Sequence, residues 1–267
     1  MVAFNLSARR RRACRTRPRP PVRWHSDRAV IPKRYLLFLA SALLVPAAAA
    51  APVFEDTMAQ RVLACSACHG KEGRAGPDGY YPRIAGKPAG YLYNQLLNFR
   101  DGRRRYGLMA RLLDPLSDQY LHDIARHFAA LDLPYPAPRP AAVAPAVLQR
   151  GEVLARHGDA AAQLPPCTQC HGEHLTGVAP NTPGLLGLPR DYLNAQLGAW
   201  RAGERRAHAP DCMAQIARRL SAPDVTAVTA WLAAQPVPAD ARPAATLPKP
   251  PSIACGSAAL PAGGARR

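Results

Sequence analysis

The sequence predicts an all-α protein that contains two similar domains in tandem. Apolar residues recur at helical spacing in several segments on both sides of a proline-rich stretch. That stretch, residues 132–145, interrupts the helical pattern because proline lacks the amide donor that a helix needs. The residues after it repeat those before it at offsets of 101 to 104, which indicates an internal duplication.

A C-x-x-C-H run occurs once in each half, as Cys65-x-x-Cys68-His69 and as Cys167-x-x-Cys170-His171. This run is typical of covalent haem attachment. Two thiols one helical turn apart can each bond a vinyl group of one haem, and the adjacent imidazole then lies under the iron. The two runs therefore predict two covalently bound haem c groups, held by Cys65, Cys68, Cys167 and Cys170.

Paired cysteines have two other common uses in proteins. A shared zinc site usually takes its ligands from runs closer together than the roughly 100 residues that separate these two. A thioredoxin-like redox pair requires a strand before the first cysteine, whereas the flanks of both runs have a helical pattern. Haem attachment is the stronger interpretation.

Residues 1–51 are interpreted as a basic extension followed by a secretory signal peptide. Arg9 to Arg12 lie in the basic part, residues 35–45 are continuously apolar, and small residues follow as far as Ala51, as a signal peptide requires. Cleavage near Ala51 predicts a periplasmic protein. The alternative of an uncleaved apolar segment predicts contact with the membrane surface, although the run is short for a bilayer span.

The formal net charge of +17 says little about partners. Residues 1–51 hold 11 of the 35 Lys and Arg residues and one of the 18 Asp and Glu residues, which leaves +7 for the mature chain. The arginine run is interpreted as the flank of an export signal, so no nucleic-acid partner is predicted.

Residues 52–131 are predicted to form the first domain. Helical spacing predicts a helix over 54–64 that leads into the first C-x-x-C-H run, and a second helix over 91–101. Met109 is expected on a loop. Ser117 is expected to cap a closing helix that ends near residue 131.

Residues 146–236 are predicted to form the second domain, joined to the first by 132–145 as a stiff, extended linker. A helix over about 146–157 precedes the second C-x-x-C-H run. Residues in matching positions of the two halves include Pro82 and Pro183, Gly86 and Gly187, Tyr91 and Tyr192, Gln95 and Gln196, Phe99 and Trp200, and Met109 and Met213.

Cys212 and Cys255 remain when the haem motifs and Cys14 of the export segment are set aside. An even remainder in an exported protein predicts a disulfide. This disulfide would tether the Pro/Ala-rich tail, residues 237–267, to the second domain. The alternatives are two free thiols, or a Cys212 thiolate that competes with Met213 for iron.

Each half thus has a helix, a C-x-x-C-H run, a proline-containing loop, a helix, a methionine and a closing helix. This order resembles that of class I cytochromes c, and the duplicated form resembles the dihaem cytochrome c4 family over roughly residues 54–235. The matching motifs are Cys65-x-x-Cys68-His69, Pro82-x-Ile84-x-Gly86 and Met109, then Cys167-x-x-Cys170-His171, Pro183-x-Leu185-x-Gly187 and Met213. The resemblance implies two tandem class I cytochrome c domains, each wrapped around a covalent haem.

The resemblance also implies the iron ligands. His69 and His171 would be the proximal ligands, Met109 and Met213 the distal ones, and the carbonyls of Pro82 and Pro183 would accept a hydrogen bond from the proximal imidazoles. With both axial positions filled, the irons favour electron transfer over catalysis. Five other histidines lack repeat partners and are interpreted as surface or helix residues: His122, His127, His157, His174 and His208.

The implied function is a periplasmic dihaem electron carrier, not an enzyme. Its implied partners are redox proteins: a quinol-oxidising complex or a dehydrogenase as donor, and a terminal oxidase or reductase as acceptor. Two alternatives stay open, an electron-accepting subunit of a periplasmic dehydrogenase and a catalytic dihaem enzyme such as thiosulfate dehydrogenase. Arginines that recur in both halves are expected to pair with haem propionates or acidic partners, or to be solvated: Arg100, Arg103 to Arg105, Arg201, Arg205 and Arg206.

Overall fold

The computed structural model describes residues 56–76, 78–138, 140–259 and 261, which belong to one compact unit. The basic extension and signal peptide predicted over residues 1–51 lie outside these residues, as does the start of the helix predicted over 54–64. Within the described ranges, none of the helices is long and apolar enough to cross a bilayer.

The first half contains five α-helices in its described part: α1 Met58–Arg61, α2 Leu63–His69, α3 Ala89–Arg100, α4 Gly107–Leu113 and α5 Asp118–Ala129. The helix predicted before the haem motif is broken at Val62, so α2 carries the motif itself. The predicted cap of α5 is confirmed: the Ser117 hydroxyl accepts a hydrogen bond from the Tyr120 amide at 3.2 Å.

The core of the first half lies between α3 and α5. Tyr93 on α3 and Leu121, Ile124 and Phe128 on α5 are all buried. The three α5 residues are spaced three or four positions apart, so they share the face that packs against α3. This packing fixes α3 as one wall of the first half.

The second half has the same succession of elements with a two-stranded addition. It contains α6 Pro145–Arg156, α7 Thr168–His171, β1 Gly177–Val178, β2 Thr182–Pro183, α8 Arg190–Arg201, α9 Cys212–Arg219 and α10 Ala222–Ala234. Strands β1 and β2 are antiparallel. Helix α6 begins at Pro145, one residue earlier than predicted, since the first position of a helix does not need the missing amide.

Helices α6 and α10 cross at Gly151, where there is no room for a side chain. A Cβ at this position would lie 2.2 Å from the Ala227 carbonyl oxygen and 2.7 Å from Trp231 Cβ. The close approach buries Trp231 together with Leu154, Val228 and Leu232. This crossing closes the second half around its core.

The expectation that both methionines lie on loops is wrong. Met109 and Met213 lie in the first turns of the short helices α4 and α9. The start of α9 has a recognisable signal, because the Asp211 carboxylate accepts a hydrogen bond from the Ala214 amide at 3.0 Å. The two methionines are therefore carried by helical backbone.

The linker packs against both halves. Arg83 of the first half stacks on the ring of Tyr135 at 3.9 Å and donates a hydrogen bond to the Pro134 carbonyl at 3.1 Å. The ring of Tyr135 also lies against Gly187 of the second half. The extended conformation predicted from its prolines is thus held by contacts on two sides.

Candidate haem sites

Both C-x-x-C-H runs lie on helices, α2 and α7, that end at their histidine. Gly70 and Gly172 follow with φ of 74° and 84°, values that glycine adopts without strain. His69 and His171 are buried, with 8% and 7% of their surfaces exposed. None of the four motif cysteines forms a disulfide, and burial raises the pKa of Cys167 to about 11.

Each histidine ring is anchored through one nitrogen. Nδ1 of His69 lies 2.8 Å from the Pro82 carbonyl oxygen, and Nδ1 of His171 lies 2.7 Å from that of Pro183. A carbonyl oxygen only accepts, so each Nδ1 carries the proton and Nε2 keeps its lone pair. Burial also lowers the pKa of both rings, which favours the neutral imidazole that a metal requires.

One cavity of about 1740 Å³ runs through both halves. It is lined by the motif cysteines Cys65, Cys68 and Cys167, both motif histidines, and the two methionines Met109 and Met213. The remaining lining is largely apolar, with Leu92, Phe99 and Ile124 in the first half and Leu197, Ile216 and Val228 in the second. Such a lining suits a large, flat, mostly apolar group.

Three side-chain nitrogen atoms in this cavity have no hydrogen-bond partner within the described residues. Arg190 Nε, Trp200 Nε1 and His208 Nε2 are all buried, and all three residues line the cavity. Buried donors without acceptors are costly, and carboxylates of a bound group would satisfy them. The residues present therefore fit haem, which has an apolar ring and two propionates.

The two halves are joined by a crossed pair of arginines. Arg104 of the first half donates to Tyr192 Oη at 3.1 Å and to Gln196 Oε1 at 2.7 Å in the second. Arg205, at the matching position of the second half, donates to Tyr91 Oη at 3.3 Å and to Gln95 Oε1 at 3.0 Å in the first. An isolated backbone bridge pairs Arg104 with Arg205. The repeated tyrosines and glutamines thus lie at the interface.

This arginine pair is positively charged and has only neutral hydrogen-bond partners. Arg205 is 5% exposed and stacks on Trp200 at 3.8 Å, while Arg104 stacks on Phe99 at 4.4 Å. Burial and the neighbouring Arg104 lower the pKa of Arg205. Arg205 is buried and Arg104 is half-buried, both line the cavity, and neither is paired with a carboxylate, so their positive charges favour anionic groups nearby.

Three of the other repeated arginines pair with carboxylates of the chain itself. Arg100 bonds Asp118 at 2.7 Å, Arg103 bonds Asp101 at 2.7 Å, and Arg105 lies 3.5 Å from Glu204. The expectation that the repeated arginines bind propionates or acidic partners is therefore not supported for these three.

The structure shows the state of the remaining cysteines and the surroundings of the two C-x-x-C runs. Cys212 and Cys255 form the predicted disulfide, so Cys212 does not offer a thiolate to iron. Within the described ranges, no cluster of three or more His, Cys, Asp and Glu side chains is placed to hold a metal ion. Both C-x-x-C runs lie on helices, α2 and α7, and among the described residues no strand precedes either run, in contrast to the thioredoxin-like arrangement.

The sequence is similar to curated electron-transfer proteins. It is 38% identical over 189 residues to the "Thiosulfate dehydrogenase electron acceptor" of Thiomonas intermedia, covering 70% of this chain and 86% of that protein. It is 36% identical over 170 residues to "Cytochrome c4" of Pseudomonas aeruginosa, covering 63% of this chain and 82% of that protein. No family model matches the chain.

Solved structures show the same similarity. The reduced recombinant cytochrome c4 from Pseudomonas stutzeri matches with a TM-score of 0.56 and 32% identity, over 65% of this chain and 94% of that one. Thiosulfate dehydrogenase (TsdBA) from Marichromatium purpuratum matches with a TM-score of 0.58 and 32% identity. The match spans 64% of this chain but only 36% of that longer one.

Two helical halves, each with a C-x-x-C-H helix and a histidine anchored to a proline carbonyl, define a protein with tandem class I cytochrome c domains. The chain belongs to the dihaem cytochrome c4 family. Its members carry two covalent haem c groups and act as electron carriers rather than as catalytic enzymes. The predicted fold class, cofactor and general function are thereby confirmed.

Proposed function

We propose that this chain accepts electrons from a periplasmic dehydrogenase, with thiosulfate dehydrogenase as the first candidate, and passes them to a terminal oxidase or reductase. The observation that carries the proposal is one cavity that is lined by residues of both C-x-x-C-H runs and extends across the interface between the halves. The name of the Thiomonas relative supports the choice of donor.

The proposed ligands are His69 and Met109 for the first iron, and His171 and Met213 for the second. A bound haem iron supplies a one-electron couple, Fe(II)/Fe(III). The chain holds each imidazole in one orientation through the carbonyl of Pro82 or Pro183. A thioether in the sixth position favours the ferrous state and leaves no open site for oxygen or peroxide.

The proposal assigns the arginine pair Arg104 and Arg205 to the region between the two haems. Their charges offset those of propionates, and their hydrogen bonds fix the halves relative to each other. A rigid interface that excludes water requires little reorganisation when charge moves across it. Electron transfer between the halves is therefore proposed to pass through this interface.

Domain boundaries and cell location also belong to the proposal. Residues 52–131 and 146–236 would be the haem-binding domains, with 132–145 as linker and 237–267 as tail. The export signal in residues 1–51 predicts a periplasmic protein, and the Cys212–Cys255 disulfide is typical of an oxidising compartment.

The proposal is tested by mixing the oxidised, haem-loaded protein with purified thiosulfate dehydrogenase and thiosulfate in a stopped-flow spectrometer. We expect both haems to be reduced, with two electrons taken up per chain, at a rate that rises with dehydrogenase concentration. A mixture without thiosulfate is the control. No reduction by the dehydrogenase, together with rapid reduction by a quinol-oxidising complex, would contradict the proposed donor and favour a general respiratory carrier.

A further inference from the structure

The described part of the C-terminal tail runs along the second half and reaches the first half at Ala258. After α10, the Ala244 amide donates to the Gly177 carbonyl at 2.9 Å, and the Ala179 amide donates to the Ala244 carbonyl at 2.8 Å. Cys255 then forms the disulfide with Cys212. The tail is therefore attached to the body of the protein at several points.

Near Ala258 the tail crosses the boundary between the halves. The Ala258 amide donates to Asn94 Oδ1 on α3 at 2.7 Å, and Ala258 packs against the hydrophobic core of the first half. Asn94 is itself buried. One segment of chain thus connects α9 of the second half to α3 of the first.

The disulfide attaches the tail at the first residue of α9, next to Met213. The loop before α9 is held from the same side, because the Gly256 amide donates to the Pro210 carbonyl at 2.9 Å. A Cβ at Gly256 would lie only 2.2 Å from the Ala209 carbonyl oxygen, so the tail touches the loop backbone directly. The position of the Met213 backbone therefore depends on the tail.

The first half has no corresponding attachment within the described residues. Leu108 occupies the position that matches Cys212, immediately before Met109, and 63% of its surface is exposed. No side chain caps the start of α4. The helices that carry the two methionines thus differ in the tail attachment and in the N-terminal cap.

We infer that the Cys212–Cys255 disulfide and the Ala258–Asn94 contact form a tail clamp that positions α9 and keeps Met213 on the second iron. The inference rests on the proposed function, since it takes Met213 as an axial ligand. A helix of eight residues is marginal without tertiary contacts, and a thioether is a weak ligand. A cross-link that spans 43 residues limits the conformations in which Met213 can leave.

The disulfide of the clamp makes Cys212 and Cys255 positioning residues for the second haem, because Cys212 precedes Met213 on α9. When it is absent, Met213 spends more time away from the iron, and an external ligand can take its place. Imidazole is a suitable probe because it binds ferric haem at the position that the methionine vacates. The thioether-to-iron absorption in the far red reports the loss of each methionine separately from the loss of haem.

The first experiment titrates the ferric, haem-loaded protein with imidazole. The variant C212S/C255S removes the disulfide without leaving an unpaired cysteine at either position. The substitution M109H is added to the parent and to C212S/C255S, so that Met213 is the source of the far-red band in both proteins. We expect the affinity of the second haem for imidazole to rise at least about tenfold in C212S/C255S. The variant S252A, which removes the tail contact with Gln169 at 3.3 Å and leaves α9 untouched, should behave as the parent protein.

A second experiment needs no substitution. The protein is reduced either with ascorbate, which leaves disulfides intact, or with dithiothreitol, which also opens Cys212–Cys255, and carbon monoxide is added to both. We expect carbon monoxide to bind to about one more haem per chain in the protein reduced with dithiothreitol than in the protein reduced with ascorbate. This arm decides the question if C212S/C255S fails to retain both haems.

Equal imidazole affinity within about twofold in the parent and C212S/C255S, or equal carbon monoxide binding under both reductants, would overturn the tail clamp. Failure of the proposed ligation has a different signature. In that case the parent protein itself would lack the far-red band of Met213 before any substitution is made.

Discussion

Replacement of Gly151 by alanine tests whether the crossing of α6 and α10 closes the second haem domain. The added Cβ would lie 2.2 Å from the Ala227 carbonyl oxygen, whereas non-bonded heavy atoms settle at roughly 3.5 Å. The obstacle is backbone, which cannot rotate away as a side chain could. The two helices must therefore separate by about 1 Å along their closest line of contact.

The cost of G151A follows from this displacement. Overpacking of a well-packed contact costs about 1–3 kcal/mol and occasionally more, and separation also loosens the packing of the buried Trp231 and Leu154. Alanine returns about 1 kcal/mol because it favours helix more than glycine does. We expect a net loss of about 1–2 kcal/mol in the free energy of unfolding, confined to the second domain.

The assay is guanidinium unfolding of the haem-loaded protein, followed by helical circular dichroism and by the far-red band. In G151A we expect the second domain to unfold at lower denaturant than the first, so that one transition becomes two. The matched control is G198A on α8, where a Cβ would have no neighbour within 4 Å, and where stability should rise by up to about 1 kcal/mol. Equal stability of G151A and G198A would refute the reasoning.

Three further substitutions test the electrostatics of the second half and the interface. D224N should lower the unfolding free energy by about 1 kcal/mol at pH 7, since Asp224 accepts a hydrogen bond from Arg150 at 2.8 Å. Arg150 holds the pKa of this carboxyl below its ordinary 3.8. The stabilisation by Asp224 is therefore present above pH 3.8 and is lost as the pH falls through the pKa of the folded protein. In acid titrations, the free energies of unfolding of the parent and D224N should converge at that pH. R205L removes hydrogen bonds to the first half, so it should lower the free energy of unfolding in urea by about 2–3 kcal/mol. It also removes a positive charge, so it should lower the reduction potentials in a redox titration. The control R206L makes the same charge change at an exposed site and should alter the free energy of unfolding by less than about 0.5 kcal/mol. W200F introduces the phenylalanine that the first half has at the matching position, Phe99. If Trp200 Nε1 donates to a haem propionate, W200F should lower the free energy of unfolding of the haem-loaded protein by about 1 kcal/mol in the same urea assay. An unchanged free energy of unfolding would contradict that hydrogen bond.

Local chemistry made the haem sites predictable from the sequence. A C-x-x-C-H run contains the covalent attachment points and a ligand within five consecutive residues, so it needs no knowledge of the tertiary structure. The duplication then located the loop prolines, whose carbonyls accept from His69 and His171 at the distances that the structure gives. The Ser117 cap was equally local.

The interface was harder to predict because it depends on which surfaces meet. The sequence showed that Arg104 and Arg205 recur, but nothing in their immediate neighbours revealed that each reaches across to the other half. Arg103 and Arg105 flank Arg104 in the sequence and carry the same charge, yet both pair with carboxylates. One helix start was a missed local signal, since Asp211 two residues before Met213 marks the beginning of α9.

The central claim is that each half holds one haem c with a histidine and a methionine on the iron. The most direct measurement is the far-red absorption of the ferric protein per bound haem, in the parent and in M109H and M213H. We predict two haems per chain, a thioether band from both in the parent, and a loss of about half of that band in each variant. A single haem, a high-spin component in the parent, or a band that survives either substitution unchanged would contradict the account.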